Sequence, residues 1–173
     1  MIIEKTNIDD VKLIKPKIYN DSRGYFFESF NQELSNSLDC EFIQSNESFS
    51  TYGVIRGIHF QKTPFEQSKL VRVIKGEIQD IAIDLRPTSK SYKNYVSVKL
   101  NDINKNQLFI PKGFGHAFLT LSKEAIVSYM VDSIYNQDYD SGIRYDDKSI
   151  CINWDIDEKK IILSDKDKNL PFL

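Results

Sequence analysis

Two neighbouring stretches in the middle of the chain decide the fold: Arg56-Gly-Ile-His-Phe-Gln61 and Lys69-Leu-Val-Arg-Val-Ile-Lys-Gly-Glu-Ile-Gln-Asp-Ile-Ala-Ile-Asp84. In the second stretch, β-branched residues alternate with polar ones on both sides of Lys75-Gly76, which predicts two strands joined by a two-residue turn. Residues separated by an even count share one face of a strand. His59 and Gln61 are related in this way, and we expect one cavity lined by Arg56, His59 and Gln61, with Lys69 nearby. A histidine beside cationic side chains indicates proton transfer on an anionic substrate.

Short apolar or aromatic segments separated by turn signals recur through the rest of the chain. Extended segments are predicted around residues 11–14, 25–30, 42–50, 92–100, 107–110 and 124–134, and a short helix over residues 31–38. Many short strands at close spacing are typical of an all-β sandwich or barrel. Nothing in the composition marks a boundary, so residues 1–173 are expected to form a single all-β domain with a few short helices.

Composition limits the partners and the location. The net charge is −2, so no basic field points to nucleic acid. No apolar run approaches the ~18 residues of a membrane span, and the first residues do not resemble a secretory signal. The two cysteines, Cys40 and Cys151, are too few to indicate a disulfide framework. We therefore expect a cytoplasmic protein that binds neither nucleic acid nor a membrane.

The chain has only two histidines, His59 and His116. An imidazole titrates near neutral pH, so His59 is a candidate general base that needs a carboxylate on its other ring nitrogen. The alternative is a core histidine with a satisfied hydrogen bond. His116 ends a Pro111-x-Gly-x-x-His motif that matches the second motif of cupin barrels. A metal site built from both histidines and a carboxylate is the weaker alternative, because the usual His-x-His pair is here His59-Phe-Gln61.

Other candidate residues each have an ordinary structural alternative. Lys69 is positioned to stabilise an enolate, although most lysines lie on the surface. Tyr129 is a candidate general acid, although aromatic residues on strands usually serve packing. Arg23 suits a phosphate but also a solvated turn, and Asp167 has the setting of a surface acid in a charged run.

Taken together, these segments resemble the RmlC family of nucleotide-sugar 3,5-epimerases, typified by dTDP-4-dehydrorhamnose 3,5-epimerase. The resemblance rests on ordered motifs at residues 21–30, 44–48, 53–61, 67–73, 76–86, 110–118, 142–147 and 163–167, with Tyr129 between them. A single motif would be unspecific, whereas the ordered set is specific. Some positions depart from the family pattern: Asp140 is usually glutamate, and Gly115, Ala117 and Tyr145 also differ. These departures leave the identity of the substrate open.

The resemblance implies a cupin-like jelly-roll barrel that needs no cofactor and no metal. It implies His59 as the base, Asp167 as the acid that orients it, Tyr129 as the proton donor and Lys69 beside the C4 carbonyl. Contacts to the sugar, pyrophosphate or nucleotide are implied for Gln44, Asn46, Arg56, His116, Tyr135 and Asp140. A homodimer is also implied, in which the N-terminal strand region around Arg23, Phe26 and Glu28 reaches the partner's site.

The implied activity is 3,5-epimerisation of a nucleotide-diphospho-4-keto sugar, typically dTDP-4-dehydro-6-deoxyglucose, in surface polysaccharide synthesis. Three alternatives stay open at this point. The first is a GDP-4-keto-heptose 3- and/or 5-epimerase of a capsule pathway. The others are a metal-dependent cupin and a cupin that binds a sugar without catalysis.

Overall fold

The computed structural model describes all residues from 1 to 173 and contains thirteen strands and two short α-helices. The strands are β1 (Ile2–Lys5), β2 (Lys12–Lys15), β3 (Tyr19–Asp21), β4 (Gly24–Phe26), β5 (Gln44–Thr51), β6 (Ile55–Gln61), β7 (Lys69–Lys75), β8 (Glu77–Asp84), β9 (Tyr95–Asn101), β10 (Gln107–Ile110), β11 (Phe114–Thr120), β12 (Glu124–Val131) and β13 (Asp140–Gly142). The helices are α1 (Gln32–Ser37) and α2 (Asp165–Lys168), with 3₁₀ turns at Gln137–Tyr139 and Glu158–Lys160. The predictions of an all-β chain and of a helix after residue 31 are confirmed.

Eleven of the thirteen strands form two antiparallel sheets that pack face to face. The large sheet has the order β1-β2-β10-β7-β12-β5, and the small sheet has the order β13-β6-β11-β8-β9. Their inner faces share one apolar cluster, in which Val71 and Val127 of the large sheet lie with Ala82 and Phe118 of the small sheet. Alternating apolar side chains on both inner faces are what hold such a sandwich together.

The hairpin predicted at Lys75-Gly76 is wrong. Both strands exist, but β7 pairs with β10 and β12 in the large sheet, whereas β8 pairs with β9 and β11 in the small sheet. At Gly76 the chain therefore crosses from one sheet to the other. The crossing is tight: Gly76 has φ +83°, and a Cβ there would lie 2.2 Å from the carbonyl oxygen of Glu124. Alternation identifies a strand and its faces but carries no information about its partner.

Helix α1 covers part of the outer face of the large sheet. The side chain of Asn31 caps it by accepting the backbone N–H of Leu34 at 2.9 Å. Leu34 then packs with Ile14, Leu70 and Phe109 in a second apolar cluster. The cap and this burial explain why so short a helix is stable here, since six residues are too few for a helix to persist alone.

Strands β3 and β4 form a two-stranded hairpin that pairs with neither main sheet. All six strand residues are exposed, and Phe26 is 66% exposed. A large apolar side chain left in solvent on a separate hairpin indicates a contact surface. None of the helices has the length and apolar character that a bilayer crossing requires.

Candidate active site

A bulge in β6 turns both Arg56 and His59 into the space between the sheets. His59 lies opposite His116, but Arg56 lies opposite Phe118, so three steps along β6 match two steps along β11. Strict alternation would put residues 56 and 59 on opposite faces, and the extra residue of the bulge corrects this. The bulge falls at Gly57, whose φ is +120° and where a Cβ would lie 2.5 Å from the carbonyl oxygen of His116.

The third residue expected in this cavity, Gln61, serves a different purpose. Its side-chain amide donates to the carbonyl oxygens of Phe65 and Ile134, and its Oε1 accepts the backbone N–H of Asn136. Gln61 is buried and does not line the cavity. The expectation that Gln61 lines the cavity is therefore wrong. Its amide is instead the hydrogen-bond partner of backbone groups in two neighbouring loops, at Phe65 and at residues 134–136.

His59 is paired with Asp167, which lies 108 positions later in the chain. The Nε2–Oδ1 distance is 2.6 Å. Ser164 caps α2 by accepting the backbone N–H of Asp167 at 3.1 Å, which places this aspartate under β6. Asp167 is 3% exposed, so the alternative of a surface acid is wrong.

The electrostatics of this pair define which nitrogen of His59 is available. Burial raises the pKa of Asp167, but the hydrogen bond and the charge of His59 outweigh it and hold that pKa below its usual value. An ionised Asp167 accepts the Nε2 hydrogen of His59. This tautomer leaves Nδ1 unprotonated, which is the state that a general base requires.

His116 is paired with Asp80 in the same way, at 2.7 Å between Nε2 and Oδ1. Both side chains are buried between the sheets. Burial lowers the pKa of His116 against the opposing charge of Asp80, so its imidazole is neutral at neutral pH. Because burial disfavours the protonated form that a base must reach, the His116 imidazole is suited to be a positioned hydrogen-bonding group.

Lys69 and Tyr129 reach the same cavity from the large sheet. Lys69 starts β7 and Tyr129 lies on β12, with the ammonium nitrogen 5.8 Å from the centre of the phenol ring. Burial lowers the pKa of Lys69 to about 8, while Asp80 and Asp140 oppose that effect. Burial raises the pKa of Tyr129, with Arg56 opposing. At neutral pH the site therefore contains an ammonium and a protonated phenol.

The cavity between these two walls has a volume of about 260 Å³. It is lined by Ser48, Arg56, His59, Lys69, His116, Phe118, Tyr129, Ser164, Lys166 and Asp167. Arg56 is held by Ser50 Oγ and the carbonyl oxygen of Phe49, both at 2.9 Å. Four of these lining residues were not predicted as site residues: Ser48, Phe118, Ser164 and Lys166. Lys166 precedes Asp167 in the motif at residues 163–167, and this position could have identified it as a site residue.

The remaining predicted contacts divide into a group near the cavity and a group far from it. Asn46 lies opposite Tyr129 in the strand register and accepts from Gln44 at 2.7 Å. Tyr135 donates to Asp140 at 3.1 Å, and the cavity residue Lys166 also pairs with Asp140. Arg23, Phe26 and Glu28 do not line the cavity of their own chain.

The donors needed for a metal site do not converge. No group of three or more histidine, cysteine, aspartate or glutamate side chains is placed to hold a metal ion. His59 and His116 are cross-strand neighbours, yet their Nε2 atoms bind different aspartates. The geometry therefore gives the metal-dependent alternative no ligand set.

Comparison with known proteins identifies the family. A family model described as dTDP-4-dehydrorhamnose 3,5-epimerase matches residues 5–173. A protein of that name from Methanothermobacter thermautotrophicus is 48% identical over 168 residues, covering 95% of this chain and 90% of the relative. The chain belongs to the dTDP-4-dehydrorhamnose 3,5-epimerase family.

Solved structures of this epimerase family have the same fold. The enzyme from Bacillus anthracis, with TDP and pyrophosphate bound, has a TM-score of 0.94 and 43% identity, covering 99% of each chain. The enzyme from Legionella pneumophila, in complex with dTDP-4-keto-L-rhamnose, has a TM-score of 0.95 and 40% identity over 99% of this chain and 92% of that one. The prediction of a cupin-like jelly roll of the epimerase family is thereby confirmed.

Proposed function

We propose that this protein is a nucleotide-diphospho-4-keto-sugar 3,5-epimerase that acts on dTDP-4-dehydro-6-deoxyglucose, in surface polysaccharide synthesis. One observation carries the mechanism: His59, held by Asp167 of α2, enters the cavity from the small sheet, whereas Lys69 and Tyr129 enter it from the large sheet. Epimerisation needs a base and an acid on opposite sides of one carbon. Two facing sheets supply them from opposite walls. Membership of the epimerase family supports the same conclusion.

The chemistry follows from the 4-keto group. C3 and C5 are both α to that carbonyl, so one enolate-stabilising cation serves both carbons. His59 Nδ1 takes the proton, the C–H electron pair forms a double bond to C4, the carbonyl π pair moves onto O4, and the Lys69 ammonium stabilises the resulting oxyanion. Tyr129 then donates its phenol proton to the opposite face as the electron pair returns to carbon. Protons exchange with solvent and no net oxidation occurs.

The test is the reaction in deuterium oxide with the purified protein and dTDP-4-dehydro-6-deoxyglucose. We expect deuterium at C3 and at C5, together with the inverted product, measured by NMR and mass spectrometry. The Tyr129→Phe variant retains the ring but lacks the phenol proton. It is expected to exchange deuterium at these carbons while forming inverted product more slowly, by about 10²-fold or more.

Two results would contradict the proposal. Absence of exchange in the wild-type protein would favour the sugar-binding cupin. Unchanged product formation by Tyr129→Phe would remove its role as the acid. The GDP-4-keto-heptose alternative is tested in parallel with thermal shifts by dTDP and GDP. We expect a larger shift with dTDP, because the structural relatives contain TDP or a dTDP sugar.

We also propose a homodimer in which hairpin β3–β4 completes the partner's site. The Arg23 guanidinium is 88% exposed and contacts only Asp21 of its own chain, at 2.7 Å. Phe26 is 66% exposed on the same hairpin, and Glu28 only accepts from Asn31. An arginine that suits phosphate and an aromatic ring that suits stacking on a base are thus presented away from their own cavity.

Mixing two inactive variants tests this arrangement. One chain carries His59→Gln with an intact hairpin, and the other carries Arg23→Ala and Phe26→Ala with an intact His59. If the hairpin acts across the dimer, mixed dimers regain one complete site and up to about a quarter of wild-type activity, since half of random pairs are mixed. If each hairpin serves its own chain, mixing restores nothing, and the proposed exchange is wrong.

A further inference from the structure

Asp80 is a charged residue in the middle of the sandwich core, and nothing in its own strand neutralises it. It lies on the inward face of β8 opposite Phe118 and is 0% exposed. Its Oδ1 is bound by His116 at 2.7 Å, whereas its Oδ2 is buried with no hydrogen-bond partner. Buried carboxylates are costly unless a charge or a hydrogen bond compensates them. The partner of Oδ2 must therefore come from the cavity side.

His116 does not supply the missing positive charge. Its pKa is lowered by burial, so its imidazole is neutral at neutral pH and gives Asp80 a hydrogen bond without a charge. The cation of this region is Lys69, and Asp80 is the largest influence that raises the pKa of Lys69 against burial. Asp80 is paired with His116 and forms no direct ion pair with Lys69 within 4 Å, so a hydrogen-bonded link between Asp80 and Lys69 requires a bridging water.

The other charged and titratable groups around Lys69 are already engaged. Asp140 also raises the pKa of Lys69, but it is paired with Lys166 and accepts from Tyr135. The remaining groups that line the cavity are His59, Arg56, Tyr129, Lys166 and Asp167. Of these, Asp167 is the sole acid, and it is bound to His59. Asp80 is thus the carboxylate of this region with a fully buried oxygen that has no hydrogen-bond partner.

We propose that Asp80 is a positioning residue for the reaction: His116 fixes its Oδ1, and its Oδ2 holds the Lys69 ammonium charged, through a bridging water. The consequence for catalysis rests on the proposed function, because the ammonium form of Lys69, and not the neutral amine, stabilises an enolate. It assigns His116 a second task besides any contact with substrate. The inner pair, His116–Asp80, then sets the charge of the electrophilic lysine, just as the outer pair, His59–Asp167, sets the tautomer of the base.

The deciding experiment is an NMR titration of the Lys69 side chain in substrate-free protein. The Lys69 Cε resonance is assigned by its absence in Lys69→Arg. In Asp80→Asn the amide oxygen still accepts from His116, and only the charge is removed. We expect the pKa of Lys69 to fall by about one unit or more, the size of effect that a close opposite charge has. A lower pKa means that the ammonium loses its proton at lower pH, so the alkaline limb of kcat/KM moves to lower pH.

The matched control is Asp84→Asn, another fully buried aspartate on the same face of β8, bound to Arg86 at the far end of the strand. It is expected to lower stability without moving the Lys69 titration. An unchanged Lys69 titration in Asp80→Asn, or an equal shift in Asp84→Asn, overturns the proposal. If Asp80→Asn does not fold, Asp80→Ser replaces it with the same expected shift. The titration needs no substrate, so it stays decisive even if the deuterium assay shows no epimerase activity.

Discussion

Replacement of His59 by glutamine is expected to abolish deuterium exchange at both C3 and C5, with a loss in rate of about 10³-fold or more. The glutamine amide nitrogen reaches the position of Nε2 and still donates to Asp167, so this buried carboxylate keeps its partner. What disappears is the second ring nitrogen, the only group on that wall placed to accept a carbon-bound proton. The measurement is deuterium content at each carbon after timed incubation with the 4-keto sugar.

A pair of aspartates on α2 provides the matched comparison for this result. Asp167→Asn removes the carboxylate that orients His59 and is expected to reduce exchange at both carbons. Asp165→Asn changes the same residue type one half-turn away, where the side chain is 96% exposed against 4% for Asp167. Asp165→Asn should retain wild-type exchange. Residual exchange in His59→Gln at the wild-type rate would assign the base to another group and contradict the mechanism.

Replacement of Lys69 by methionine is expected to reduce exchange at C3 and C5 together, by about 10²–10³-fold, the cost of losing one preorganised group that stabilises an oxyanion. Deuterium exchange at C3 and at C5 should slow equally, because both enolates place their negative charge on the same oxygen, O4. Methionine keeps the length and the packing of the lysine stem beside Tyr129. The same deuterium assay measures the loss, with the two carbons scored separately.

The control for this variant is Lys123→Met, an exposed lysine at the turn before β12. It removes the same charge from the chain and is expected to leave exchange unchanged, which separates a local effect from a change in net charge. Loss of exchange at only one of the two carbons in Lys69→Met would mean that the oxyanion is stabilised by another group at the second carbon. That outcome would contradict a shared enolate.

The two walls of the cavity explain why the site needs both sheets. The small sheet provides His59 and His116 as cross-strand neighbours, and the large sheet provides Lys69 and Tyr129. Each wall is rigid because the strands that carry these residues, β6, β11, β7 and β12, are paired on both sides. Catalytic groups on paired strands hold their geometry better than groups on loops. The proposed base and acid are therefore held on opposite walls of the cavity.

Local sequence patterns were sufficient to predict most of the longer strands, the short helix and the types of side chain that line the cavity, but not strands β1, β3 and β13. The alternation in β7 and β8 predicts extended structure because side chains on a strand point alternately to two faces. The chain has only two histidines, each in a glycine-containing motif, which was sufficient to predict His59 and His116 as site residues. The ordered motifs also predict the family, which the comparisons confirm.

Contacts between residues distant in sequence were decided only by the tertiary structure. The alternation of β7 and β8 predicted a hairpin, yet each strand pairs in a different sheet. Asp80 was not predicted as a site residue, because one acid among apolar neighbours gives no local signal that it is fully buried and bound to His116. The bulge at Gly57 decides that Arg56 and His59 face the same way. The sequence by itself determined which side chains share a face along the regular parts of each strand, because that depends on neighbours two residues apart. Which strands face each other, and so which charges are buried together, depends on the packing of the two sheets.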